Sequence, residues 1–352
     1  MSDKGSTVKV CIIGGGLGIR CLLPKFREIP GVEVVGFLTS DYNKAVKLSE
    51  NYGIAYPCHN LKEICNLKPD LVCVASPNKE HYWQASAIIA KNINVLCEKP
   101  LCLDLLDTDR LLKDAELADS FLYIDLELRF NPYFQKIKEL INTIGDVYYV
   151  DMFFQSSLYL EDKVKGTWNC TEEAGGGIRT AILPHFLDLL FFWLNKQCCS
   201  LRGKLYSPHN KIGASEFCNV SMYLEDNISV NLTATAILEG DKELNIIVIG
   251  ELGKIEFDLK NMLRIDGKHV SVELPDYYSE GESIFRSSFA CYARKLVNAI
   301  RERRPVENHT TAVQIHEIHR LLEDIKFSSK CGREIIYKQQ TNLLTRRNNN
   351  GK

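Results

Sequence analysis

The chain has 352 residues, of which 45% are hydrophobic and 25% charged, and a formal net charge of −2. That length exceeds one typical compact domain and suits two, each with its own core. The near-neutral charge gives no electrostatic footing for nucleic acid or a membrane surface, so a small-molecule partner is expected.

Residues 1–7 are small and polar, and 339–352 are polar with three consecutive asparagines, so both ends are read as flexible termini. The opening MSDKGSTVKVCIIGGG has no cleavage pattern, and no apolar run of about 18 residues follows, which predicts a soluble cytoplasmic protein. Val8 to Ile13 reads as a buried strand, followed by Gly14, Gly15 and Gly16 and a helical stretch through Phe26. Val32 to Leu38 is a second strand and Tyr42 to Tyr52 a helix. Leu61 to Cys65, the strand Asp70 to Ala75, the helix Glu80 to Lys91 and the strand Asn94 to Cys97 continue the alternation. The helix Leu103 to Ala118 and the strand Phe121 to Leu126 complete it. Strands alternating with helices imply a parallel sheet covered on both faces.

Beyond this point the texture changes. Phe134 to Ile141 and Ile182 to Trp193 read as helices around a strand at Val147 to Gln155. Residues Phe217 to Leu224, Ile228 to Ala236, Leu244 to Gly250 and Lys254 to Leu259 then alternate as antiparallel strands. Closing helices are predicted at Phe285 to Arg301 and Thr311 to Ser328. The expected organisation is therefore an α/β protein: a Rossmann parallel sheet over 8–126, then an α/β domain with an open, mostly antiparallel sheet over 127–338.

Thirteen cysteines form an odd set without any CxxC pair, and Cys11, Cys73 and Cys97 fall inside apolar strands, so they read as reduced core thiols. His316 and His319 in HEIHR do not make the HExxH pattern, and no metal site is expected.

The glycines after the first strand suit a pyrophosphate, because a backbone without side chains and a helix N-terminus can both approach it. Gly14 and Gly16 fill the first two places of GxGxxG with Leu17 next to them, but Ile19 stands in the third and Gly18 is one residue early. At the end of the second strand an acidic residue usually meets the adenosine ribose. Thr39 and Ser40 occupy that place here, with Asp41 beyond and Lys44 nearby, which leaves NAD or NADP open. Ser76, Pro77, Asn78 and His81 follow one parallel strand, and Glu98, Lys99 and Pro100 follow the next. Ligands bind outside the carboxyl ends of such strands, so both segments are expected to line one crevice. Pro100 restricts the backbone of Lys99 and aims its ammonium there.

With SPNKEH, CEKP, LRFNP at Leu128 to Pro132, IGDV at Ile144 to Val147, and GGG at Gly175 to Gly177 before HFLDLL, the chain resembles the glucose-fructose oxidoreductase, inositol dehydrogenase and MocA (Gfo/Idh/MocA) superfamily from Val8 to about Tyr337. GTWNC at Gly166 to Cys170 and EFCNVSMYLED at Glu216 to Asp226 are most similar to its eukaryotic glucose-fructose oxidoreductase domain-containing members. The resemblance implies NAD(P)-dependent hydride transfer at a carbohydrate-like alcohol or ketone. Gly14, Gly16, Leu17, Thr39, Ser40, Ser76, Pro77, Asn78, His81, Glu98 and Lys99 would meet the cofactor. Lys99 and His185 would be catalytic, with Arg129, Trp168 and Arg179 on the substrate side, and a homodimer would form through the open sheet. One departure matters: the aspartate expected four residues before the histidine is Ala181, and Pro184 adjoins His185. The alternative is therefore a catalytically silent dinucleotide-binding sensor or scaffold.

Overall fold

The computed structural model describes residues 7–161, 164–208, 212–260 and 262–337. The expected flexible termini, 1–7 and 339–352, thus lie outside the described residues except for Thr7. Alternation of apolar strands with half-apolar helices yields β1 (Val8–Ile13), α1 (Leu23–Arg27), β2 (Val32–Leu38), α2 (Tyr42–Tyr52), β3 (Tyr56–Cys58), α3 (Leu61–Asn66), β4 (Leu71–Val74), α4 (His81–Ile89), β5 (Asn94–Cys97), α5 (Leu105–Leu117) and β6 (Leu122–Ile124). These strands form one sheet in the order β3-β2-β1-β4-β5-β6, every neighbouring pair parallel. The order reverses between β1 and β4, which opens a crevice at the carboxyl edge between them.

The second half comprises α6 (Pro132–Leu140), β7 (Val147–Gln155), α7 (Ile178–Trp193), β8 (Cys198–Tyr206), β9 (Phe217–Leu224), β10 (Ser229–Thr235), β11 (Glu243–Gly250), β12 (Gly253–Asp258), β13 (Met262–Ile265), β14 (Lys268–His269), α8 (Ile284–Arg301), α9 (Ala312–Cys331) and β15 (Ile335–Ile336). Its nine strands run β14-β13-β12-β11-β7-β10-β9-β8-β15. Only β7 and β10 pair in parallel. One face is buried in strict alternation, as in β9 and β11, and the other carries Tyr149, Asn219, Ser221, Asn231 and Thr233, bonded among themselves.

Besides the unpredicted short strands β13, β14 and β15, three local outcomes differ from the sequence expectation. β3 is three residues around Pro57, too short for an alternation to register. β8 was not expected: its pattern is interrupted by Gly203, where a Cβ would lie 2.7 Å from the Ile325 carbonyl oxygen, so the break reflects close packing against α9. α7 starts at Ile178 rather than Ile182, because Arg179 and Thr180 are buried by tertiary partners and not excluded from the helix.

The two sheets share helices that pack on both. α8 returns to the parallel sheet: Phe289 packs edge-on against Phe26 at 5.7 Å and Tyr292 donates to the Ile124 carbonyl at 3.2 Å. α9 likewise reaches back, with Leu101 N donating to His319 Nε2 at 3.1 Å.

Candidate active site

The site is built at the carboxyl ends of β1, β4, β5 and β6. Gly14 has φ +117°, and a Cβ there would lie 2.1 Å from the Ala75 carbonyl oxygen; only glycine lets the turn after β1 lie against the turn after β4. A Cβ at Gly16 would meet nothing within 4 Å, so that face of the turn is open, with Leu17 exposed beside it. At Gly18 a Cβ would lie 2.7 Å from Ile12 Cγ2. Gly18 therefore makes the close helix–strand approach that Ile19 cannot. The chain absorbs the one-residue offset in a wide π-type turn over Gly18–Leu22.

Thr39 and Ser40 follow β2 as expected. Thr39 Oγ1 and Lys44 Cε each lie 3.3 Å from where a Gly15 Cβ would be, so a hydroxyl and a lysine stem border the glycine turn. Asp41 is the N-cap of α2 and accepts from Asn43 N at 2.9 Å and Lys44 N at 3.3 Å. Its carboxylate is committed to the helix rather than to a ribose.

After β4, Ser76 donates to Gln84 Oε1 at 2.7 Å with Pro77 half-buried next to it. Asn78 and His81, expected at a cofactor, are instead staples. Asn78 Nδ2 donates to the Gly175 carbonyl at 2.8 Å, and the fully buried His81 lies between the Pro100 carbonyl (2.9 Å) and the Ser76 carbonyl (3.0 Å). Burial lowers the His81 pKa against the pull of those carbonyls. The residue joins the β4 turn to the Lys99–Pro100 turn.

Lys99 projects from that turn toward α7, where Nζ donates to the Ala181 carbonyl at 2.6 Å. Position 181 thus offers lysine a backbone oxygen instead of a carboxylate. Pro184 lies one turn on and has no N–H for the Thr180 carbonyl, which loosens the helix ladder here. Around the ammonium stand Glu98, Asp125 and Glu127, all buried. Burial raises Glu98, opposed by Lys99. Burial and then the Glu98 charge raise Asp125 well above the carboxylate range and Glu127 to about 8. Lys99 is lowered by burial, and the three carboxylates pull it back up. Three carboxylates and one ammonium crowd a buried site, so burial pushes the carboxyls toward their neutral forms while the Lys99 charge pulls them back.

His185 lies in the same cluster. Its Nδ1 is enclosed without a hydrogen-bond partner and sits 3.7 Å from Glu127 Oε2, with the Phe285 ring 5.3 Å away. Burial, then the Lys99 charge, hold the imidazole well below its usual pKa, so it is neutral and a base.

The expected substrate-side residues are not gathered here. Arg129 is buried and forks onto Asp188, Nε to Oδ2 at 2.8 Å and Nη2 to Oδ1 at 2.5 Å, while Nη1 donates to the Asn308 carbonyl at 3.0 Å. Arg179 Nη1 donates to the Leu322 carbonyl at 3.3 Å and faces α9. Trp168 is half-buried on a short turn packed against Gly176. Arg129 and Arg179 are therefore packing cations. Sequence reasoning missed Asp125 and Glu127, although two acids spaced i, i+2 at the end of an apolar strand point the same way and were a signal.

Residues 8–125 match a family model described as "Oxidoreductase family, NAD-binding Rossmann fold", and residues 134–256 match the GFO/IDH/MocA C-terminal domain. Glucose-6-phosphate 3-dehydrogenase of Bacillus subtilis is 23% identical over 265 residues, 72% of this chain and 75% of that protein. Glucose-fructose oxidoreductase domain-containing protein 1 of Xenopus tropicalis is 24% identical over 259 residues, 70% of this chain and 65% of that protein. Among solved structures, GenD2 from gentamicin A biosynthesis in complex with NAD superposes with a TM-score of 0.82 at 21% identity, over 96% of this chain and 98% of that one. Levoglucosan dehydrogenase in complex with NADH and levoglucosan gives 0.82 at 15% identity, over 94% and 100%.

Proposed function

The chain belongs to the GFO/IDH/MocA oxidoreductase family, and from that membership we propose that it is an NAD(P)-dependent oxidoreductase acting on a carbohydrate-like alcohol or its ketone. The observation that carries the reading is the Lys99 ammonium, set among buried carboxylates beside a neutral His185, at the carboxyl edge that the glycine turn opens.

The residues present fit a dinucleotide. Gly14 lets the turn close on β4, Gly16 leaves backbone open for a pyrophosphate, Leu17 flanks it, Thr39 and Ser40 border the ribose position, and Ser76, Pro77, Glu98 and Lys99 line the adjoining turns. Asp41 is spent as a cap while Lys44 borders the turn, which favours acceptance of a 2′-phosphate. When bound, the cofactor supplies the hydride acceptor or donor. Lys99, whose charged form Glu98 favours against the opposing effect of burial, exchanges its Ala181 carbonyl partner for the substrate oxygen and polarises it. His185 takes or returns the hydroxyl proton, for which a neutral imidazole is suited. The buried carboxylates favour the charged form of the lysine against its burial.

Among the described residues no cysteine is joined in a disulfide, which supports residence in a reducing compartment such as the cytoplasm. The open face of the nine-stranded sheet is the surface proposed to pair with a second copy, a mass that light scattering reads.

Melting temperatures with NAD, NADH, NADP and NADPH test the reading, since a ligand of the folded state must stabilise it. NADPH is expected to give the largest shift, and Lys44→Ala to reduce it while sparing NADH. Oxidation of sugars and inositols should then fall on the order of 10²-fold in Lys99→Met. No shift with any dinucleotide, or binding with no turnover on any substrate, would overturn the proposal.

A further inference from the structure

The proposed chemistry leaves one question in the geometry: what receives the second proton of His185. Ala181 has no side chain that can do so, and Asp188, three residues beyond His185, is bound by Arg129 and by Thr310 Oγ1 at 2.8 Å. Among the described residues the carboxylate within ion-pairing distance of the ring is Glu127, whose Oε2 lies 3.7 Å from Nδ1. Both side chains are buried, and Nδ1 has no other partner. Glu127 comes from the turn after β6 in the parallel-sheet half, and His185 from α7 in the other half, so the pair bridges the two.

We propose that Glu127 is the positioning carboxylate of His185, supplied from the β6 turn where position 181 supplies none, and that it relays one proton with Nδ1. The inference rests on the oxidoreductase reading. As a substrate hydroxyl passes its proton to His185 Nε2, the Nδ1 proton passes to Glu127 Oε2; the substrate keeps the electron pair as an alkoxide, and the imidazole stays neutral throughout. In the reverse direction Glu127 returns its proton to Nδ1 while Nε2–H protonates the alkoxide. A 3.7 Å separation closes to hydrogen-bond length by a small side-chain rotation, and catalytic contacts are commonly long before substrate binds.

The surroundings favour a relay over a standing ion pair. Lys99 faces His185 from the β5 turn and disfavours an imidazolium. Glu98 and Asp188 face Glu127 with like charge and Lys99 with opposite charge, Asp125 adjoins Glu98, and from α8 the ring is faced by uncharged Phe285. Burial and the Glu98 charge hold the Glu127 carboxyl at about 8, so both of its forms are accessible near neutral pH.

The test is a pH titration of the His185 ring by nitrogen NMR on the full chain without cofactor, the signal identified by its loss in His185→Asn. In the parent the ring resonances should step near the Glu127 midpoint. In Glu127→Gln the step should vanish, and in Glu127→Asp it should return at a shifted midpoint. Identical His185 profiles in the parent and in both folded variants would overturn the proposal. If Glu127→Gln does not fold, Glu127→Asp alone decides by whether the midpoint moves. With a turnover substrate, Glu127→Gln should lower kcat on the order of 10²-fold at unchanged KM and flatten its pH profile. Turnover in the parent with an unaltered kcat profile in Glu127→Gln sinks the relay alone, whereas a parent that binds no dinucleotide sinks the oxidoreductase reading while the NMR result still judges the pair.

Discussion

Replacing Arg129 by methionine should break the protein rather than its specificity. The guanidinium makes two hydrogen bonds to Asp188, at 2.8 and 2.5 Å, a third to the Asn308 carbonyl at 3.0 Å and a longer one to Gln314 Oε1 at 3.4 Å, and it lies over the Phe192 ring at 5.3 Å. Methionine fills part of the volume but leaves Asp188 buried with Thr310 Oγ1 as its only remaining donor. Removing one partner of a buried pair costs about 3–5 kcal/mol, more than the desolvation it relieves. At roughly 2–4 °C per kcal/mol, the melting temperature should fall by about 6–20 °C. Burial already pushes the Asp188 carboxyl up against the pull of Arg129 and Thr310, so losing the arginine lifts it further. A carboxyl whose folded pKa lies above its unfolded value binds the extra proton in the native state, so the deficit should grow as pH rises above the unfolded carboxyl value of about 4. Urea unfolding at several pH values measures this, and the double variant Arg129→Met with Asp188→Leu should recover most of the loss in a mutant cycle. A folded Arg129→Met of parental stability whose only defect is a raised KM would refute the packing role and return Arg129 to the substrate.

Gly14→Ala should lower the melting temperature and abolish dinucleotide-induced stabilisation, since its Cβ would lie 2.1 Å from the Ala75 carbonyl oxygen at φ +117°. Gly16→Ala, with nothing within 4 Å, should melt like the parent yet lose affinity for dinucleotide, and equal effects of the two changes would contradict this account of the turn. His319 accepts from Leu101 N and sits 3.1 Å from Thr108 Oγ1, which itself donates to Asp104 O, so Nδ1 carries the proton. Burial, then the Arg179 charge, lower its pKa to about 3. The unfolded chain therefore binds more protons between about pH 6.5 and 3, and this contribution, full above 6.5, should drain as pH falls, by up to about 1.4 kcal/mol per unit. Urea midpoints of the parent and His319→Gln should converge toward acid, and parallel pH profiles would count against it.

Much of the architecture was legible because its signals are local. Fully apolar strands such as Leu71–Val74, the glycines after β1 and the proline after Lys99 each declare themselves within a few residues, so the parallel sheet and the turns at its carboxyl edge could be placed from sequence. Gly18 shows the limit of motif spacing, because a π-type turn makes an offset glycine fit. Arg129 shows the limit of chemistry by residue type. Its partner Asp188 is 59 residues away, and nothing near either residue says that the pair closes on itself rather than on a substrate.

The amino-acid sequence by itself determined the family, the two-sheet plan and the positions of Lys99 and His185. Only the tertiary structure decided that Lys99 meets the Ala181 carbonyl across 82 residues, that Asn78 and His81 hold turns together, and that Glu127 is the acid facing His185. The physical reason is range. Periodicity and turn chemistry act between neighbours along the chain, whereas a buried charge takes its partner from whichever segment the fold brings within a few ångströms.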